Sequence, residues 1–229
     1  MALQLHRVLR TDRFFIKQTM SSTKAVVFDF GQVLSYPEKQ SRIEKMATLC
    51  GLSLEALGAA YRKYRPPYDR GKMNGKDYWR LVTSEASERL TAKDIESLID
   101  LDTTNSIELN PTMLRWANLL VEYKYRTAII SNMTPDDMSR MRHEGILNRL
   151  GTFEVKIFSS FVGLVKPENA IYQQCLTCLG LAPKEVLFLD DKVENIEAAR
   201  GLGMKTFLFH SVDPDLDTLS RNFNLPCCC

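Results

Sequence analysis

Three short apolar runs, each stopping on polar or acidic residues, constrain this chain more than any other feature. Ala25-Val26-Val27-Phe28 ends at Asp29, Thr127-Ala128-Ile129-Ile130 at Ser131-Asn132, and Val186-Leu187-Phe188-Leu189 at Asp190-Asp191. Continuous runs of this length, rich in β-formers, suit strands covered on both faces. Two weaker runs, Val155-Lys156-Ile157-Phe158 before Ser159-Ser160 and Thr206-Phe207-Leu208-Phe209, bring the expected strands to five. Between them, Asn110-Pro111, Thr134-Pro135-Asp136-Asp137 and Lys166-Pro167-Glu168 put proline where a first helical turn tolerates it, and Gly201 and Gly203 punctuate a helix from Val193 to Arg200. Strand and helix alternate, which predicts an α/β fold with a mainly parallel sheet flanked by helices and right-handed crossovers. The polar residues at the strand ends then share one rim, where open α/β sheets bind ligands.

The gap between the first and second strands is too long for one crossover. Ser53 ahead of Leu54, Leu57 and Tyr61, Thr91-x-x-Asp94 ahead of Ile95, Leu98 and Ile99, and the set Tyr78, Leu81 and Val82 mark helices there, with Pro66-Pro67 expected to break the set. The expected organisation is an α/β core of residues 24–35 and 109–229, a helical cap of residues 36–108 inserted beside the ligand rim, and an extension of residues 1–23. Over residues 62–80 of the cap, Arg62, Lys63, Arg65, Arg70, Lys72, Lys76 and Arg80 outnumber Asp69 and Asp77. A basic lid over an anionic substrate and a solvated helix face both fit that pattern. The extension carries His6, Arg7, Arg10, Arg13 and Lys17 among apolar residues, against the single acid Asp12. An upstream extension before Met20 and an organelle-targeting helix both fit, and the acid and the missing cleavage pattern favour the former.

Composition excludes several classes. Hydrophobic residues at 45% and charged residues at 25% describe an ordinary globular chain, and no apolar run approaches the roughly 20 residues of a membrane span. A formal net charge of +2 offers no strong field for nucleic acid. Six cysteines, three of them the terminal Cys227-Cys228-Cys229, give no disulfide framework, so a reducing, cytoplasmic setting is the expectation. The terminal three lack a prenylation pattern and read as an exposed tail. Cys175 and Cys178 form a C-x-x-C, but Ile171, Cys175 and Leu179 recur at helical spacing, so buried core thiols are expected rather than a redox or zinc pair. His6, His143 and His210 have no metal spacing.

A carboxylate at the end of a buried strand is costly without a partner, because desolvation disfavours its charge. Asp29 and Asp190-Asp191 therefore invite a cation, and hard oxygen ligands suit Mg²⁺, which also holds phosphate. Ser131 and Lys166 add a hydroxyl and a fixed positive charge, and together these groups can bind and activate a phosphoryl group. Four ordered motifs, Phe28-Asp29-Phe30-Gly31-Gln32-Val33-Leu34, Ser131-Asn132, Lys166-Pro167 and Leu189-Asp190-Asp191-x-x-x-Asn195, resemble the haloacid dehalogenase superfamily. The stretch from Gly163 to Glu168 and the stretch from Phe188 to Asp191 are most similar to the branch that contains sugar-phosphate phosphatases and the phosphatase domain of soluble epoxide hydrolases.

The resemblance implies a Rossmann-like core and a Mg²⁺-dependent phosphatase acting on a small phosphorylated metabolite such as a sugar phosphate. It makes Asp29 the nucleophile of an aspartyl-phosphate intermediate. It assigns Mg²⁺ to Asp29, the Gly31 carbonyl and Asp191, phosphate contacts to Ser131, Lys166 and the backbone near Asn132, and support to Asp190 and Asn195. One departure stands out. Family phosphatases usually carry a second Asp two residues after the nucleophile, and this chain has Gly31. That removes a side-chain proton transfer of about 10²–10⁴ in rate. A slower phosphatase, one suited to good leaving groups such as an anomeric sugar phosphate, and a weakly active binding or regulatory relative all remain open. A 2-haloacid dehalogenase fits less well, because its chemistry needs no cation to balance Asp190-Asp191. The oligomeric state stays open.

Overall fold

The structure is a computed structural model that describes residues 23–84, 86, 90–210 and 216–227. The stretch before Thr23, with its basic and apolar residues, and Cys228-Cys229 lie outside the described residues. Strand β1 (Ala25–Phe28) is followed by a tight turn, Phe30–Leu34, and by helices α1 (Gln40–Cys50), α2 (Leu54–Asp69), α3 (Gly75–Val82) and α4 (Ala92–Thr103). Helix α5 (Pro111–Glu122) leads to β2 (Arg126–Ser131), α6 (Pro135–His143), α7 (Ile146–Arg149), β3 (Val155–Phe158) and α8 (Ser159–Val162). Helix α9 (Asn169–Leu179), β4 (Val186–Asp190), α10 (Val193–Gly201), β5 (Lys205–Leu208) and α11 (Leu216–Phe223) complete the order.

Among the described residues the strands form one parallel sheet in the order β3-β2-β1-β4-β5. The α/β expectation holds, with Rossmann-like winding on both sides of β1. Phe28 pairs in register with Ile129 and with Leu189, so Asp29, Ser131 and Asp190 reach the same rim. The chain runs outward through β2 and β3 and returns to β4 beside β1, which makes the β1–β4 edge the topological switch point where such sheets open a crevice. Strand β1 alternates between two apolar layers. Val26 and Phe28 enter one with Trp116 and Phe153, and Ala25 and Val27 enter the other with Ile171, Tyr172 and Phe188.

Helices α1 to α4 pack around a separate apolar cluster that includes Met46, Leu57, Tyr68, Tyr78, Trp79 and Leu98. The antiparallel bridge Ser35–Leu109 closes the base of this segment. Capping follows the sequence: Ser53 accepts from Ala56 N, Thr91 and Asp94 form a capping box, Thr134 and Asp137 form another, and Asn110 accepts from Thr112 N and Met113 N. Each such cap contributes about 1 kcal/mol.

Three expectations change. Pro66-Pro67 does not break its helix, because α2 continues through both prolines to Asp69. The proline φ suits a helix, and the carbonyls that lose donors belong to the exposed residues Arg62 and Lys63, where water reaches them. Pro167 does not open α9. It follows a cis peptide in a turn, and the helix starts at Asn169 after Glu168. Cys175 is a buried thiol, but Cys178 is exposed, because the buried face of α9 runs through Ile171, Tyr172, Cys175, Leu176 and Leu179 and leaves position 178 off it. Helix α1 starts at Gln40 with no side-chain cap, so no start signal in the sequence marks it.

Candidate active site

Lys166 forms the base of the rim. The residue is 4% exposed, and its ammonium lies 2.8 Å from Asp29 Oδ1 and 2.6 Å from Asp190 Oδ2. Burying one cation costs several kcal/mol, so a lysine this enclosed requires its two carboxylates, and removing it would leave uncompensated charge in the core. Burial works against the ammonium, but Asp190 and Asp29 outweigh it and hold the Lys166 pKa above its usual value. Asp29 behaves in the opposite sense. Burial pushes its carboxyl up to about 7, Lys166 pulls it down, and Asp190 adds repulsion. Its Oδ1 also accepts from Phe30 N at 2.6 Å, which sets the carboxylate at the start of the turn.

Strand ends bring Asp29 and Asp190 to Lys166, and loop contacts hold the lysine and its neighbours in place. Asn132 donates from Nδ2 to the Lys166 carbonyl at 3.0 Å and accepts from Lys166 N at 2.8 Å, so its side chain clamps the loop that carries the lysine. Asp190, fully buried, accepts from Lys192 N at 2.8 Å and from Asn195 Nδ2 at 2.9 and 3.0 Å. Those bonds and Lys166 fill its lone pairs. Asp191, half-buried at the mouth, accepts from Gln32 Nε2 at 2.7 Å. Burial first, then Asp190, raises its pKa. Gln32 reaches across because its own backbone is left-handed, with φ of 59°.

These groups line a cleft of about 150 Å³ bounded by Asp29, Gly31, Ser131, Lys166, Asp191 and Asn195. Oxygens of Asp29, Asp190 and Asp191 all lie within 4.8 Å of one another. Three carboxylates stand against Lys166 and, at the mouth, Lys192, and that excess of hard anionic oxygen fits a divalent cation of the Mg²⁺ type. Since Asp190 is occupied, Asp29 and Asp191 are the carboxylates with capacity for it.

A second chamber of about 150 Å³ adjoins the first and shares Gly31, Glu38, Ser131 and Asn132 with it. Its far wall is Tyr61 and Arg65 of α2, Asp102 of α4 and Asp137 of α6. Arg65 Nε lies 2.8 Å from Asp69, while its terminal nitrogens lie 3.3 Å from Asp102 and 3.6 Å from Asp137. The guanidinium also sits over the rings of Tyr61 and Tyr68, at 5.0 and 5.5 Å from their centres. Burial would lower the Arg65 pKa, but its phenol and acid neighbours raise it well above normal.

The sequence-predicted residues Asp29, Gly31, Ser131, Asn132, Lys166, Asp190, Asp191 and Asn195 therefore converge on one place. Of the basic residues read as a lid, Arg70 is engaged by Glu168 and by the Gly163 carbonyl at 3.2 Å, Lys76 by Glu96, and Arg80 by Asp77. Sequence reasoning missed Gln32, Glu38, Tyr61, Asp102 and Asp137. Gln32 lay inside a quoted motif, but no spacing signal joins the others.

Comparison with known proteins gives the family and the fold. A family model for haloacid dehalogenase-like hydrolases matches residues 23–203. The chain is 34% identical over 115 residues to the mouse bifunctional epoxide hydrolase 2, a match covering 49% of this chain and 21% of that protein. It is 27% identical over 190 residues to a sesquiterpene phosphatase of Aspergillus oryzae, covering 79% of this chain and 87% of that one. A crystal structure of a haloacid dehalogenase family enzyme from Bacteroides thetaiotaomicron, in complex with magnesium, superposes with a TM-score of 0.70 at 20% identity, over 87% of this chain and 99% of that one. Among the described residues no helix is long and apolar enough to cross a membrane.

Proposed function

The chain belongs to the haloacid dehalogenase-like hydrolases, and on that premise we propose that it is a phosphatase acting through an aspartyl-phosphate at Asp29. The observation that carries this reading is the Asp29 carboxylate, held 2.8 Å from a buried lysine at the floor of a cleft that Ser131 and Asp191 also line. Asp29 attacks phosphorus, the bond to the leaving oxygen breaks, and water then displaces the carboxylate to release phosphate. Splitting one displacement into two is the gain of covalent catalysis. Lys166 and Ser131 stabilise the charge that grows on the transferring oxygens. Asp29, Asp191 and the Gly31 carbonyl would hold Mg²⁺, which supplies charge neutralisation for the incoming phosphate. Asp190, Asn132 and Asn195 position Lys166 and its loop. The magnesium-bound structural neighbour and the phosphatase relative support this reading.

Helices α1 to α4 act as a cap that selects the leaving group. The chamber they form with the core presents Tyr61, Arg65, Asp102 and Asp137 alongside Phe30 and Met133. Arg65 is already balanced by Asp69, Asp102 and Asp137, so the chamber suits a small neutral polyhydroxyl group such as a sugar, and a second anionic group would meet excess carboxylate. A dehalogenase is disfavoured by the grouping of Asp29, Asp190 and Asp191, which haloacid chemistry does not need.

The test is a panel of phosphorylated metabolites with Mg²⁺, run beside Asp29→Asn, with chloride release from 2-chloropropionate as the counter-assay. Phosphate release lost in Asp29→Asn is expected. Equal release by both proteins, or chloride release alone, overturns the reading.

A further inference from the structure

We propose that Glu38 is the acid–base group of this site, donating a proton to the leaving oxygen and accepting one from the attacking water, the task for which position 31 has no side chain. The proposal rests on the phosphatase reading and deepens it. Glu38 lines both the cleft that holds Asp29 and the adjoining chamber. It therefore stands where the bond between the phosphoryl group and the leaving group has to lie if one occupies each space. The acidic residues lining the catalytic cleft are Asp29, Asp191 and Glu38. The first is the nucleophile and the second a cation ligand, so Glu38 is the carboxylate left over.

Local structure fixes it there. The Ser35–Leu109 bridge and the bond from Tyr36 N to the Glu108 carbonyl at 2.9 Å anchor the chain just ahead of Glu38. Arg42, one helical turn on, lies 3.0 Å from Glu38 and divides its charge with Glu108 at 3.1 Å. The charged groups that act most strongly on Glu38 are Arg42 of α1, Asp102 of α4 and Glu108, and the two spaces it lines also carry Arg65, Asp137, Lys166, Asp191 and Lys192. Burial raises the Glu38 pKa, Arg42 opposes it, and Asp102 and Glu108 add to it, so a proton is held more readily than on an exposed glutamate. At Gly31 an added Cβ would meet nothing within 4 Å, so no neighbour has moved into the place where a side chain would begin.

The steps balance. As Asp29 Oδ bonds to phosphorus, the phosphorus–oxygen bond to the leaving group breaks and the Glu38 proton moves to that oxygen, giving the free alcohol. Water then bonds to phosphorus, its proton returns to Glu38, and the bond to Asp29 breaks, so both side chains end as they began.

The experiment compares an alkyl phosphate, glycerol 3-phosphate or a hexose 6-phosphate, with p-nitrophenyl phosphate, whose leaving group departs without a proton. Glu38→Gln is expected to lower kcat on the alkyl ester about 10²–10⁴-fold. On p-nitrophenyl phosphate it is expected to give a burst of p-nitrophenolate and then a slow steady state, because formation of the intermediate survives and its hydrolysis does not. Adding Gly31→Asp to Glu38→Gln should return much of the alkyl turnover. Glu38→Asp keeps the charge beside Arg42 and should fall between wild type and Glu38→Gln. Wild-type turnover in Glu38→Gln and Glu38→Asp, with Asp29→Asn inactive, overturns the role of Glu38 and leaves the phosphatase reading standing. An equal loss on both esters with no burst and no gain from Gly31→Asp also overturns it. No phosphate release from any ester by wild type removes both.

Discussion

Lys166 lies beneath the cleft between Asp29 and Asp190, at 2.8 and 2.6 Å, while Arg65 lies in the neighbouring chamber among Asp69, Asp102 and Asp137, at 2.8, 3.3 and 3.6 Å. Both are cations framed by carboxylates, Lys166 buried and Arg65 half-buried, and both keep their charge within that frame. The difference is in what remains. Around Lys166 the acids exceed the cation and face an open cleft with Asp191, so charge is left to bind a further cation and to react. Around Arg65 the acids and the rings of Tyr61 and Tyr68 enclose the guanidinium and join α2, α4 and α6. On the proposed function, the same device serves chemistry in one place and cohesion in the other.

Replacing the two cations is the strongest way to break that comparison. Lys166→Met is expected to lower kcat about 10²–10³-fold and to cost about 3–5 kcal/mol of stability, because Asp29 and Asp190 lose their counter-charge. Arg65→Met should cost a similar 3–5 kcal/mol or so in denaturant unfolding, yet change kcat less than tenfold or so on p-nitrophenyl phosphate, which asks little of the chamber. Equal kinetic losses in the two variants would contradict the division of roles. Next in size is a thermal shift. Mg²⁺ at about 100 times its Kd should stabilise the protein by about 2.7 kcal/mol, and Asp191→Asn should abolish most of that gain while Asp102→Asn leaves it.

Smaller effects probe how the helical segment docks. Gly71 has φ of +72°, and a Cβ there would come within 2.5 Å of the Ser160 carbonyl oxygen. Just before it, Ser159 Oγ donates to the Asp69 carbonyl at 2.6 Å. Gly71→Ala should therefore cost about 1–3 kcal/mol in equilibrium unfolding, through both strain and backbone displacement. The smallest expected effect is a pH slope. Burial pushes Asp137 up to about 6, against the pull of Arg65 and with repulsion from Asp102. A carboxyl whose folded pKa lies above its unfolded value binds a proton in the folded state that the unfolded state lacks, so its contribution to stability falls as pH rises through that window. Between pH 4 and 6 or so, wild type should lose stability relative to Asp137→Asn, and parallel stability curves would rule this out.

Much of the fold and the cleft was legible because each relevant residue stops an apolar strand. Asp29, Ser131 and Asp190 end β1, β2 and β4, and parallel pairing carries strand ends to one rim without any knowledge of side-chain contacts. Lys166 and Asn195 were reachable through ordered motifs. Glu38, Tyr61, Asp102 and Asp137 were not, because they come from separate helices and loops whose mutual placement depends on packing around Tyr68, Tyr78 and Leu98 rather than on any periodicity. Pro66-Pro67 misled for a related reason, since tertiary context tolerates at a helix end what local propensity forbids in its middle.

Covalent capture addresses the nucleophile itself. Wild-type protein mixed with Mg²⁺ and a phosphate ester, quenched in acid within its turnover time and digested, should carry phosphate on the peptide that contains Asp29, and hydroxylamine should remove it as expected of an acyl phosphate. Phosphate on any other residue, or none on that peptide while turnover proceeds, would contradict the account.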